Sequence, residues 1–318
     1  MTAASRPGLH HTSAVVGTLL IAVVWGASFA GMKYALQAGL SVGAMLTFRF
    51  LIGGAGLGVM LLALRVKIER AAVRDGLVLG LLLTGIFWLQ AGGLLTTTTT
   101  KSGFITGLYV LFTPAASVLL GHRLKVAHGL GALVAMGGLF LLVHTPGVPF
   151  GGWTLGDSLT LANAVGCGFH IALTGIFARR SDSWVLAFVQ VAVIAAASFV
   201  ITLLLPAPHG FQGAGRILAR PGVQLSLVYL GVVATSLAFY LMSSLQKHLG
   251  NTEAAILYML EPVFTALLAM TGWIPGIRDR LSPVQLAGGG IILGAMLLAE
   301  LGPGWLARFG DARPELDG

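Results

Sequence analysis

Charge is scarce in this sequence. Lys, Arg, Asp and Glu together make up 9% of the 318 residues, where a soluble domain carries about 25%. A water-facing surface cannot be built from so few charges, so a soluble enzyme and a disordered chain are both excluded. Cysteine is limited to Cys167, which excludes an intrachain disulfide and a disulfide scaffold. Enzyme motifs are also missing. The sequence holds no Walker loop, no His-Glu-x-x-His and no Gly-x-Ser-x-Gly.

Hydrophobic residues fill 56% of the chain, with a mean hydropathy of +0.89. About 20 mostly apolar residues cross a bilayer as a helix. Ten segments qualify, over roughly 13–36, 42–64, 73–95, 102–121, 126–144, 157–178, 184–205, 222–246, 252–273 and 283–301. The expected fold is therefore an all-α integral membrane protein of ten transmembrane helices. The apolar stretch after Arg6, His10 and His11 runs to about Leu36. That is too long for a signal h-region, so it is read as the first span. The net charge of +8 does not point to nucleic acid, because the basic residues are scattered between apolar runs. It points to orientation in a membrane. With the N-terminus cytoplasmic, twelve of the 19 Lys and Arg lie inside, six lie outside and Arg49 lies within a span. That bias places both termini in the cytoplasm of a cell whose inner (plasma) membrane holds the chain.

Glycine is plentiful, at 45 residues. The pairs Gly54–Gly58, Gly76–Gly80, Gly103–Gly107 and Gly290–Gly294 have GxxxG spacing. They are read as close helix packing within the chain, with a homodimer contact as the alternative. Pro114 and Pro262 fall inside spans, where each frees a backbone carbonyl and bends its helix. The two halves also match. Ala22-Val-Val-Trp-Gly26 lies on Ala164-Val-Gly-Cys-Gly168, and Leu46-Thr-Phe-Arg49 on Ala187-Phe-Val-Gln190. Leu111-Phe-Thr-Pro114 aligns with Leu260-Glu-Pro262, and Arg123-Leu124 with Arg280-Leu281. Five spans per unit is an odd number, so the second copy enters from the opposite side. The result is two inverted five-helix repeats, residues 13–144 and 157–301. A linker at 145–156 joins them, and tails at 1–12 and 302–318 flank them. Inverted repeats of this kind place a binding site near midplane at the repeat interface.

With Trp25-Gly26, Phe48-Arg49-Phe50, the Thr96–Thr100 run into Ser102-Gly-Phe, Gly156-Asp157, Leu260-Glu-Pro-Val-Phe264 and Arg280-Leu-Ser-Pro283, the chain resembles the drug/metabolite transporter superfamily, of the ten-helix EamA type. The resemblance spans about residues 15 to 301. It implies export or exchange of small metabolites, amino acids or drugs. Members usually carry Gly-Glu-Arg after the fourth and ninth spans; here His122 and Asp279 stand at the glutamate positions.

Ionisable and polar groups inside spans are the candidate site residues. Arg49 lies about 12 Å deep at ~1.5 Å per residue. It suits a bidentate grip on a substrate carboxylate, or bonds to helix carbonyls in a structural role. Glu261 lies at similar depth. It is suited to carry a coupling proton, to meet a cationic substrate, or to satisfy the carbonyl freed by Pro262. An Arg49–Glu261 ion pair is a further arrangement open to them. His170 is suited to binding or proton exchange, or to a packing role, and no second histidine gives it metal-ligand spacing. Gln90, Asn163 and Gln190 either face a wet cavity or join helices. Trp25, Trp88, Tyr109 and Tyr258 either wall a cavity for an amphipathic solute or pack. Lys33 and Lys101 are expected to snorkel to the interface. The Thr96–Thr100 run reads as a polar helix end and turn, or an outer vestibule.

The reading is a secondary transporter, and not an enzyme, that moves a small-molecule substrate by alternating access through a central cavity. It calls for no cofactor and no metal. Its partners are the lipid bilayer and the substrate, with proton coupling and a homodimer left open. A lipid or lipid-linked sugar flippase is one alternative, and a non-transporting membrane enzyme or scaffold is another.

Overall fold

In lipid a backbone must satisfy its own hydrogen bonds, so an apolar chain crosses as helices. The computed structural model describes residues 7–120, 126–143, 152–206, 209–249, 254, 257, 258 and 260–295, and no strand occurs among them. The tail at 302–318, most of the linker and His122 lie outside the described residues.

The helices are α1 (Pro7–Gln37), α2 (Val42–Ala63), α3 (Arg70–Gly93), α4 (Thr99–Leu119) and α5 (Val126–Val143). After the linker come α6 (Leu155–Phe177), α7 (Ser183–Leu204), the short α8 (Ala214–Leu218), α9 (Pro221–His248), α10 (Leu260–Thr271) and α11 (Pro283–Ala295). Seven of them, α1 to α4, α6, α7 and α9, are long and apolar enough to cross a membrane. The expected ninth and tenth spans are described in part, as α10 and α11, with Ala254, Leu257 and Tyr258 ahead of α10. α1 begins before the expected boundary, so part of the expected tail is helical.

Local sequence starts and stops these helices. Ser41 Oγ accepts the Ala44 N–H at 3.1 Å to cap α2. Thr98 Oγ1 accepts the Lys101 N–H at 3.2 Å to cap α4. Thr154 and Asp157 form a reciprocal capping box on α6. Asp182 Oδ1 accepts the N–H groups of Trp184 and Val185 on α7, and Pro221 opens α9 at a position where its missing N–H is harmless. α4 tightens to three-residue hydrogen bonds around Leu108, just ahead of Pro114. α9 is π-helical from Tyr229 to Leu237.

Packing divides the helices into two groups. α6 lies between α3 and α4, while α1 lies between α9 and α10. α2 and α7 pack against each other, and each also packs against the group of the other half, α2 on α9 and α7 on α3. Large apolar side chains such as Leu62, Leu204 and Leu225 remain exposed, as lipid-facing positions would.

Glycine lets these groups close. A Cβ on Gly26 of α1 would stand 2.8 Å from the Glu261 carbonyl oxygen and 3.0 Å from the Thr265 nitrogen of α10. A Cβ on Gly168 of α6 would stand 2.7 Å from Phe112 Cβ and 2.9 Å from the Thr113 nitrogen of α4. The GxxxG pairs divide similarly. Gly76 and Gly80 meet Val189 and Val193 of α7, Gly58 meets Phe188, and Gly103 meets Thr265 of α10, all within the chain. Nothing lies within 4 Å of Gly290 or Gly294 among the described residues.

These contacts give a stability prediction. Gly168→Ala and Gly26→Ala each push a methyl into fixed backbone and should cost about 1–3 kcal/mol. Gly85→Ala, with nothing within 4 Å, should be neutral or slightly stabilising through helix propensity. Thermal unfolding in detergent reads the difference; equal melting temperatures for all three variants would contradict the close approach.

Candidate functional site

Between the two groups lies a cavity of about 70 Å³, lined from α1, α2, α3, α4, α6, α9 and α10 and by Tyr258. Eight of the ten candidate residues reach its wall. Trp25 and Arg49 come from α1 and α2, Gln90 from α3, and Tyr109 from α4. Asn163 and His170 come from α6, Tyr258 stands just before α10, and Glu261 lies on it.

Arg49 is 1% exposed. Its Nε–H donates to Thr235 Oγ1 at 3.0 Å, Nη1–H to Met32 Sδ at 3.1 Å and Nη2–H to the Ala234 carbonyl at 3.5 Å. The guanidinium carbon lies 4.7 Å from the centroid of Phe87 and 5.2 Å from that of Phe50, a cation–π seat. No carboxylate pairs with Arg49 among the described residues. The Arg49–Glu261 ion pair is therefore not formed. Ala234 and Thr235 belong to the π-helical stretch of α9. A π turn disturbs the regular axial bonding, and here the Ala234 carbonyl also accepts the Trp25 indole N–H at 3.1 Å.

Glu261 is buried and has the Tyr109 hydroxyl at 3.5 Å from Oε2 as its hydrogen-bond donor. No Lys or Arg pairs with it among the described residues. Asn163 donates to the Ile86 carbonyl at 3.0 Å and accepts the Thr106 hydroxyl at 3.1 Å. The His170 ring meets Gln190 Oε1 through Nε2 at 3.1 Å; an amide oxygen only accepts, so the proton of this contact sits on Nε2. Trp25 stacks obliquely on Tyr258 and Phe239, at 5.6 and 5.7 Å between centroids.

Two candidates are not in the wall. Trp88 turns to α7 and donates its indole N–H to Ser198 Oγ at 3.1 Å. It is two residues from Gln90, and that spacing puts the two on different faces of a helix. Gln190 stands behind His170, with its Nε2 unpartnered. The wall also holds residues not singled out from sequence, among them Phe87, Thr106, Cys167, Phe239 and Met242. Cys167 had a signal, because the internal match lays it on Trp25.

Of the other charges, Lys101 and Asp75 have partners of opposite sign, whereas Lys33 meets carbonyls. The Lys101 ammonium meets Asp157 Oδ2 at 2.9 Å and the Gly152 carbonyl at 3.1 Å. Thr97 donates its hydroxyl to the other Asp157 oxygen. Lys33 donates to the carbonyls of Leu94 and Thr97. Both lysines turn inward to carbonyl and carboxylate acceptors rather than snorkel. Asp75 holds Arg180 bidentately at 2.7 and 2.7 Å and accepts the Ser181 hydroxyl at 3.0 Å. Those Asp75 bonds hold the exposed Arg180 guanidinium above its ordinary pKa. No group of three or more His, Cys, Asp or Glu could hold a metal among the described residues.

A model of the EamA-like transporter family matches residues 12–144 and 154–301. An uncharacterised transporter of Archaeoglobus fulgidus is 30% identical over 295 residues, covering 92% of this chain and 88% of the relative. An uncharacterised transporter of Bacillus subtilis is 27% identical over 284 residues, covering 87% of this chain and 89% of the relative. A solved crystal structure superposes with a TM-score of 0.64 at 21% identity, over 95% of this chain and 100% of that one. At that identity it speaks to the fold alone.

The contrast between paired and unpaired charges is testable. Asp157→Ala leaves Lys101 buried without its counter-charge and should cost about 3–5 kcal/mol. Arg49→Met leaves no opposite charge behind and should change stability by only about 1 kcal/mol. Chemical denaturation in mild detergent measures both; a loss for Arg49→Met as large as for Asp157→Ala would make Arg49 a structural anchor.

Proposed function

Because the chain belongs to the EamA-like transporter family, we propose that this multi-pass membrane transporter moves a small zwitterionic solute, of amino-acid type, through its central cavity by alternating access. One observation carries the reading. Arg49 and Glu261 line the same cavity, and neither has a partner of opposite charge among the described residues. A buried charge without a partner is costly. A solute with both a carboxylate and an ammonium supplies both partners at once, and the aromatic rings of Trp25, Tyr109 and Tyr258 offer its apolar part a wall.

The architecture we propose is ten helices in two inverted five-helix repeats, with both termini cytoplasmic in the plasma membrane. Paired contacts support the repeats. Gly26 and Gly168 are matched positions, and they meet α10 and α4 beside the matched prolines. α1 between α9 and α10 corresponds to α6 between α3 and α4. Rocking of the two groups exposes the cavity to one side at a time. Substrate drives this only by its differential affinity for the states. Glu261 is the titratable group best placed to couple a proton, with His170 as its neighbour in the wall.

Flux in proteoliposomes tests the proposal. Neutral amino acids should exchange across the membrane and compete with one another, and simple monovalent ions of similar size should not compete. Arg49→Met and Glu261→Gln should each lower kcat/KM by about tenfold or more, the worth of one charged hydrogen bond. Normal flux in both variants would remove the two charges from the site.

A further inference from the structure

We propose that Lys33 and Asp279 form a charged latch on the turn between α3 and α4, and that release of this latch opens the cavity at that end. The proposal rests on the alternating-access reading and adds the element that gates it. The turn belongs to the group of α3, α4 and α6, whereas Lys33 lies on α1 and Asp279 follows α10, in the opposite group. Lys33 donates to the carbonyls of Leu94, which ends α3, and Thr97, at 3.0 Å for the second. Asp279 accepts the Thr100 N–H of the first turn of α4 at 2.6 Å. Each charge thus meets the helix end of complementary polarity, the cation on a C-terminus and the carboxylate on an N-terminus. Asp279 is fixed to α10 by its own N–H, which donates to the Ala269 carbonyl at 3.0 Å.

The turn is stiffened from its own side. Asp157 accepts from Thr97 and Lys101, so the latch grips a braced segment rather than a loose one. Charged hydrogen bonds are about twice as strong as neutral ones, so these ties hold the resting chain closed at the Lys33 end. Lys33, Asp279 and the Thr96–Thr100 run then share one task, which none of them does alone.

Cys167 reports the test, because it lines the cavity and is the lone cysteine. A membrane-impermeant cationic methanethiosulfonate reagent is added to full-length protein in right-side-out and in inverted vesicles. Protease access to an N-terminal tag assigns each membrane face independently. Wild-type protein should label slowly from the Lys33 face and faster from the opposite face. Lys33→Met and Asp279→Ala should each speed labelling from the Lys33 face by about fivefold or more, as a shift of a two-state equilibrium, and Lys33→Arg should restore the slow rate. Faster wild-type labelling from the Lys33 face overturns the latch without any variant, and so do wild-type rates in both neutral variants. Amino-acid flux in the same vesicles tests the substrate reading separately: flux lost with labelling still sided would sink the substrate and leave the latch standing.

Discussion

The distance at which α1 can approach α10, and α6 can approach α4, governs the arrangement of everything between them. At Gly26 and Gly168 the neighbouring backbone comes so near that a single methyl would stand under 3 Å from a main-chain atom. In lipid, apolar burial gives little drive for helix association, so close van der Waals contact and interhelical hydrogen bonds carry it. Thr265 uses that proximity, donating its hydroxyl to the Gly26 carbonyl at 3.1 Å. The tight crossings sit beside Glu261 and Tyr109, and so they set the spacing of the cavity's polar wall.

Charge inside the bundle falls into two kinds. Asp157 with Lys101, and Asp75 with Arg180, are paired and draw further hydrogen bonds, which offsets the cost of taking them out of water. Arg49 and Glu261 face one cavity without such partners. Arg49 is held by a sulfur, a hydroxyl, a carbonyl and two aromatic faces, a setting that fixes its direction without neutralising it. The π-helical stretch of α9 serves this orientation, since the Ala234 carbonyl takes both Trp25 and Arg49 as donors. That contrast is what the proposed zwitterionic substrate would answer, one charge for each.

Much of this was legible before any coordinates. The rule that polar groups inside spans are rare and purposeful led to Arg49, Gln90, Asn163, His170 and Glu261, all of which reach the cavity wall. The same rule overreached for Gln190, which backs His170 rather than facing the cavity. Trp88 is aromatic like Trp25, Tyr109 and Tyr258, but it sits two residues from Gln90 on α3, and residues two apart on a helix point different ways. Lys33 and Lys101 were assigned to the interface by side-chain length, and no sequence rule could reveal the carbonyls and the carboxylate waiting inward. Asp75 gave no signal at all, because its partner Arg180 is far along the chain.

The sequence by itself determined the solvent and the local structure. Nine per cent charge and long apolar runs demand lipid, and caps such as Ser41, Thr98, Thr154 and Asp182 start helices through contacts within a few residues. Tertiary structure alone decided which polar groups meet: that Arg49 finds Thr235 instead of Glu261, that Lys101 finds Asp157, that Lys33 and Asp279 grip opposite ends of one turn. The reason is physical. Helix formation depends on a residue's nearest neighbours, whereas a partner across the bundle depends on the rotation and crossing of two helices, which many distant contacts set together.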